Sequence, residues 1–207
     1  MTSQRLKMLN KFTVVSLALS ALLFGVWAVQ QNQERQIRVG DSPLRNYGVV
    51  WGHKLTRSGM PYVGTGWVWL RKQGVRSVVT FRPEDDVNYR QFGFEHILRV
   101  PMTGHMLPTD EQVDAYLRFI QDPANQPVHI HCTAGRSRTG VMAALARYAV
   151  DGWPLERALS EAKTYRDGKD LSPGLVAWLQ NWASRHAPGS YGLHLPATLV
   201  PSIRRGE

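Results

Sequence analysis

The sequence predicts an α/β fold, with a central, mostly parallel sheet of about four to five strands flanked by helices and an N-terminal transmembrane helix ahead of it. Three observations carry this expectation. From Gly48 onward, short apolar runs alternate with segments of helical periodicity, the texture of helices packed around a parallel sheet. The apolar run 127–131 passes through small and polar residues into the alanine-rich stretch 141–150, a strand–loop–helix sequence. Residues 12–30 carry no charge at all. With 207 residues, 43% hydrophobic and 20% charged, the chain can bury one domain with short appendages, and its composition is not that of a disordered protein.

Taken in order, residues 1–11 form a short N-terminus holding Arg5, Lys7 and Lys11 without an acid. The apolar segment 12–30 follows, at the short end of the roughly 17 to 25 residues that span a bilayer and longer than the roughly 7 to 15 of a signal-peptide core. This favours an uncleaved anchor, with cleavage after Ala28 as the alternative. Positive charge before the segment exceeds the near-balanced Glu34, Arg35 and Arg38 after it, which puts the N-terminus in the cytoplasm. The expectation is a single-pass protein of the inner membrane with its domain facing the periplasm. Residues 31–47 read as a solvated linker, 48–186 as the domain and 187–207 as an irregular basic tail.

Within the domain, 49–51 and 54–57 read as short strands at a sheet edge, 77–81 and 96–101 as further strands, and 127–131 as the central one. A helix over 64–73 ends at Gly74, a C-cap. Thr109 and Gln112 form a capping box that opens a helix with Val113, Tyr116, Leu117 and Ile120 on one face. A third helix starts in the loop around Arg138 and runs to Val150. A fourth starts near Pro154 with Leu155, Ala158, Leu159 and Ala162 inside, and the last, over 173–185, buries Leu175, Trp178, Leu179 and Trp182.

The formal charge of +9 and pI near 10 call for an anionic partner. No zinc-finger spacing, basic helix or RNA-binding aromatic signature is present, so nucleic acid is not expected. The single cysteine excludes an intramolecular disulfide and a multi-cysteine zinc site.

That cysteine sits where chemistry belongs. In Cys132-Thr133-Ala134-Gly135-Arg136-Ser137-Arg138 a strand ends in a tight loop that feeds a helix. Backbone amides of Thr133, Ala134, Gly135, Arg136, Ser137 and Arg138, with the positive end of the helix dipole, form a nest suited to a phosphate. The same field lowers a thiol pKa, so Cys132 is expected as a thiolate nucleophile. Arg138 can fold its planar guanidinium over the loop and grip two phosphate oxygens. Gly135 allows positive φ near the ligand, and Thr139 places a hydroxyl under Cys132. His131 is expected to hydrogen-bond the loop from behind. His129, His131 and Cys132, adjacent on one strand, cannot converge on a single ion, so no metal site is expected.

His131-Cys132-x5-Arg138-Thr139-Gly140 resembles the phosphate loop of the protein tyrosine phosphatase superfamily, in particular its compact dual-specificity branch of bacterial and fungal type. Arg57-Ser58-Gly59-Met60-Pro61, residues 74–82 and residues 100–109 are similar to that branch in order and spacing, so the resemblance covers about 48–185. It implies attack by the loop cysteine on a phosphate monoester, a phosphocysteine hydrolysed by water, and no metal or cofactor. Those roles fall to Cys132, Arg138 and Thr139. The family's general acid, an Asp about thirty residues before the cysteine, has no counterpart: the aligned position is Gly104, with His105 and Asp110 the nearest alternatives. Asp110 and Glu111 are equally explained as first-turn acids, and Asp85 and Asp86 as solvated turn residues. Without an acid, substrates with good leaving groups are favoured.

Arg136 adds a second loop cation, as in relatives that act on phosphoinositides or inositol polyphosphates, although a surface arginine explains it as well. The substrate stays open between a phosphoprotein (phosphotyrosine, phosphoserine or phosphothreonine), a phospholipid headgroup and an inositol phosphate. Two alternatives remain. One is a rhodanese-like sulfurtransferase, which also uses a loop cysteine after a strand, and the other is a catalytically silent phosphate-binding module.

Overall fold

A computed structural model describes residues 42–192, His53 and Gly104 apart. The expected anchor 12–30 and the tail from residue 193 lie outside the described residues, and among those described no helix is long and apolar enough to cross a membrane. Five strands are described, β1 (Gly48–Trp51), β2 (Leu55–Gly59), β3 (Ser77–Thr80), β4 (His96–Arg99) and β5 (Val128–Cys132). They form one sheet in the order β1-β2-β5-β3-β4, with β1 antiparallel to β2 and the other pairings parallel. The helices among the described residues are α1 (Gly64–Lys72), α2 (Asp110–Gln121), α3 (Ser137–Ala149), α4 (Leu155–Thr164) and α5 (Pro173–Ala183), with a 3-10 turn at Tyr89–Phe92.

Side-chain alternation along β5 divides the interior. Val128, Ile130 and Cys132 join a core made with α2 to α5, including Tyr116, Leu117, Leu145, Leu179 and Trp182. His129 and His131 face the other way, among the rings of Tyr47, Trp67 and Tyr89. A strand covered on both faces has no side open to solvent, so all five residues of β5 are buried, its two histidines included.

The edge position expected for 54–57 is corrected here. β2 lies between β1 and β5, and every residue of Leu55–Gly59 is buried. Its in-register pairing with β5, from Leu55 opposite Val128 to Gly59 opposite Cys132, carries β2 to the level of the loop after β5. The helix ends follow their local chemistry. Thr109 and Gln112 make the reciprocal capping box, and Gly74, with φ of +84°, takes the left-handed turn after α1. Helix α3 is buried nearly all round, which explains its run of alanines; a Cβ on Gly140 would touch the Ala162 methyl at 3.4 Å, so α3 and α4 lie close together.

Candidate active site

Between Cys132 at the end of β5 and Ser137 at the start of α3 the chain makes one tight loop, and its shape is fixed from outside. The Met60 amide donates to the Cys132 carbonyl at 2.8 Å and reaches that of Thr133 at 3.2 Å. Asn46 Nδ2 donates to the Ala134 carbonyl (2.8 Å), Arg57 Nη2 to that of Gly135 (2.7 Å) and the Gly140 amide to that of Arg136 (2.9 Å). In a trans peptide each N–H points opposite to its own C=O. Tying five successive carbonyls to the protein therefore turns the amides of Thr133 through Ser137 into the opposite concavity. Among the described residues none of these amides, nor that of Arg138, meets a backbone acceptor, and the dipole of α3 adds to their field.

Glycine makes this approach possible. Gly135 has φ of +71°, and a Cβ there would lie 2.2 Å from the Gly59 nitrogen. Cys132 sits buried at the base of the nest. Burial, the largest single influence, pushes its thiol pKa up; the Thr139 hydroxyl and amide, the Arg138 guanidinium and the Gly135 amide together outweigh it, and the net shift is downward. The Thr139 hydroxyl is fully buried and makes no hydrogen bond of regular geometry among the described residues, leaving the Cys132 sulfur as the polar group it acts on. Arg138 is held across the loop: Nη1 donates to the carbonyls of Phe81 and Met102, both at 3.3 Å, and Nη2 to Thr133 Oγ1 at 3.0 Å. Cys132, Arg138 and Thr139 are thus brought together as expected, with Thr133 to Ser137 forming the cradle.

Other expectations need correction. His131 makes its hydrogen bond of regular geometry away from the loop, with Nε2 2.9 Å from the Tyr89 hydroxyl, while the Cys132 backbone acts on the ring from the loop side without a bond of regular geometry among the described residues. Burial pushes its pKa down to about 4 despite the attraction of Asp85, so the ring is neutral near pH 7. Asp85, read as a solvated turn residue, has a side chain only 2% exposed. It accepts from Arg99 Nη1 at 2.8 Å and the Tyr89 hydroxyl at 2.7 Å, with Arg82 at 3.5 Å. Asp86 is 93% exposed, as expected of a turn. His129 gives both ring nitrogens to hydroxyls, those of Thr56 and Ser58, each at 2.9 Å.

The two general-acid candidates lie apart from the loop's hydrogen-bond network. Asp110 pairs through both carboxylate oxygens with Arg185, and that hydrogen bonding holds its pKa below the usual carboxylate range. His105 is exposed, with its backbone amide on Thr103 Oγ1. A cavity of about 410 Å³ opens beside Arg138, lined by Pro83, Met102, Thr103, Leu107, Ser137, Ser172, Gly174 and Leu175, with no carboxylate or imidazole among the described residues. On the rim, Arg136 lies 3.3 Å from Asp167, and Arg166, unforeseen from the sequence, donates to the Ser137 hydroxyl.

Comparison with known proteins decides the family. The model of the family described as DSP-PTPase phosphatase fused to NAD+ kinase matches residues 51–173, more than half of the chain. The chain belongs to this dual-specificity phosphatase family. Among curated relatives, the dual specificity protein phosphatase TpbA of Pseudomonas aeruginosa is 33% identical over 93 residues, 44% of this chain and 42% of the relative. The inositol diphosphatase DSP3 of Arabidopsis thaliana is 29% identical over 132 residues, 58% of this chain and 62% of the relative. The chain thus spans less than half the length of TpbA. Among solved structures, the core catalytic domain of the PP-IP phosphatase SIW14 from S. cerevisiae, in complex with citrate, superposes with a TM-score of 0.58 at 22% identity, covering 69% of this chain and 93% of that one. This last likeness concerns the fold: the five-stranded, mostly parallel sheet flanked by helices is that of the dual-specificity phosphatases.

Proposed function

We propose that the protein hydrolyses phosphate monoesters through a phosphocysteine at Cys132. The observation that carries this reading is the ring of outward-tied carbonyls, which leaves the amides of Thr133 to Ser137 facing one concavity above a thiol whose pKa is lowered, with Arg138 across it. In the first step the Cys132 thiolate attacks phosphorus, an S–P bond forms, and the ester P–O bond breaks with its electron pair leaving on the oxygen. The equatorial oxygens gain amide and guanidinium contacts as their charge develops. In the second step water attacks phosphorus, the S–P bond breaks, inorganic phosphate leaves and the thiolate returns. The Thr139 hydroxyl stabilises the departing sulfur.

No acid lines the described cavity, so the leaving oxygen departs as an anion or takes a proton from water. Aryl phosphates and diphosphates are therefore better substrates than alkyl esters. An inositol diphosphate fits this preference, because its leaving group is itself a phosphate, whereas inositol phosphate monoesters and phosphoinositides are alkyl esters: the chain is strongly basic, Arg136 and Arg166 stand at the rim, a relative is named inositol diphosphatase and a structural neighbour PP-IP phosphatase. The uncharged run 12–30 and the cations ahead of it support a tethered protein whose domain faces away from the cytoplasm; a reporter fused after Glu207 and active only inside the cytoplasm would contradict that placement. For catalysis, the test is hydrolysis of an aryl phosphate, competition by vanadate, and the Cys132→Ser variant. Activity abolished by the substitution supports the reading, and activity surviving it rejects the nucleophile.

A further inference from the structure

Arg57 is an unusual residue to find inside a sheet. It lies on β2, pairs in register with Ile130 of β5 and is 0% exposed. Its Nη2 donates to the Gly135 carbonyl at 2.7 Å, and its guanidinium carbon stacks 3.8 Å from the centre of the Tyr165 ring, the residue that closes α4. Its Nε and Nη1 are buried without a partner, and no carboxylate forms an ion pair with it among the described residues. The ionisable groups that act on it are Tyr165 and Glu161 from the α4 side, Tyr116 from α2 and Cys132 from β5, and Glu161 is itself held by Arg147 at 2.9 Å.

A buried cation with two idle donors and no counter-ion is a cost to the fold, and an apolar side chain of similar length would serve stability better. What the arginine provides lies at the loop. Its bond keeps the Gly135 carbonyl turned toward the protein, which aims the Arg136 amide at the bound anion. It also places a fixed positive charge on the β2 flank of Cys132, while Arg138 reaches toward the ends of β3 and β4 through Phe81 and Met102.

We propose that Arg57 is a positioning residue of the active site, holding the phosphate loop open toward its anion and helping keep Cys132 ionised from beneath. The proposal builds on the phosphatase reading, but its effect on anion binding does not require turnover.

The test compares Arg57→Met and Arg57→Lys with the wild type in the full chain. Because Cys132 is the only cysteine, the pH dependence of its alkylation by iodoacetamide reads one thiol. Vanadate affinity, aryl phosphate kcat/KM and thermal unfolding complete the set. The expected Met variant melts no lower than wild type, shifts the alkylation midpoint up by about one pH unit and loses about 10- to 100-fold in vanadate affinity and kcat/KM. Lysine restores the midpoint but not the vanadate affinity, because a point charge cannot reproduce the fork and the stack. A folded Met variant with the wild-type midpoint and vanadate affinity overturns the proposal. If the Met variant does not fold, Lys decides: a wild-type midpoint with weakened vanadate supports the proposal, and a raised midpoint or unchanged vanadate overturns it. A wild type that binds vanadate but turns over no ester contradicts the phosphatase reading alone.

Discussion

The hydroxyl of Tyr89 stands 2.9 Å from Nε2 of His131, and this contact holds the imidazole behind Cys132. A hydroxyl has one proton to give. Donated to Asp85 at 2.7 Å, it leaves the Tyr89 oxygen to accept from His131 Nε2–H, and Asp85 is fixed in turn by Arg99 and Arg82. A buried chain of polar groups thus runs from two arginines to the residue before Cys132, and each link depends on the next.

Replacing Tyr89 by Phe strips a donor from Asp85 and an acceptor from His131, both buried. The expected loss is about 1 to 3 kcal/mol of unfolding free energy, read by urea denaturation, together with reduced turnover. Tyr62→Phe, at a residue 62% exposed, leaves stability unchanged and serves as the control.

Gly135→Ala is expected to abolish the close fit between the loop and β2, since its Cβ would meet the Gly59 nitrogen at 2.2 Å. Aryl phosphate hydrolysis should fall by about 100-fold or more, with a lower Tm. At Gly168, φ is also positive (+77°) but nothing lies within 4 Å. Alanine there costs only the backbone strain, about 1 kcal/mol, and preserves turnover.

Acid should unfold the protein earlier than its carboxylates alone would require. His131 ionises near pH 6.5 when unfolded and near 4 when folded, and burial also lowers the pKa of His129, its neighbour on the same face. Their stabilising contribution is complete above pH 6.5 and is lost as pH falls from there toward 4, because the unfolded chain takes the protons first. His131 alone accounts for about 3 kcal/mol over that window. Unfolding free energy measured from pH 7 to pH 4 should show the decline; a flat profile between 6.5 and 5 would contradict it.

The loop chemistry was legible in the sequence because its parts are sequential: Cys132, Gly135, Arg138 and Thr139 occupy one short segment, and the capping box at Thr109 and Gln112 is equally local. The remainder depends on contacts that no local pattern encodes. Arg57 meets Gly135 across 78 positions and Tyr89 meets His131 across 42, so a motif arginine and a turn aspartate concealed their roles. The misplacement of 54–57 at the edge has the same origin, since the parallel partner of β2 lies far downstream. Arg82 and Arg99, either side of Asp85 in sequence, were the available hint that this acid is not an ordinary turn residue.

Asp110→Asn should leave kcat/KM for an aryl phosphate within about two-fold of wild type, because the carboxylate is committed to Arg185. A loss on the scale of general-acid catalysis, about 100-fold or more, would instead make it the proton donor. Comparing aryl with alkyl esters sharpens the result: proton donation matters most where the leaving group is poor.

The most direct measurement is mass spectrometry of the Cys132 peptide after turnover of an aryl phosphate is stopped by rapid quenching. One added phosphoryl group on Cys132, absent from a vanadate-inhibited sample, is the expected result. An unmodified Cys132, with steady hydrolysis persisting in the Cys132→Ser variant, would contradict a covalent role for this thiol.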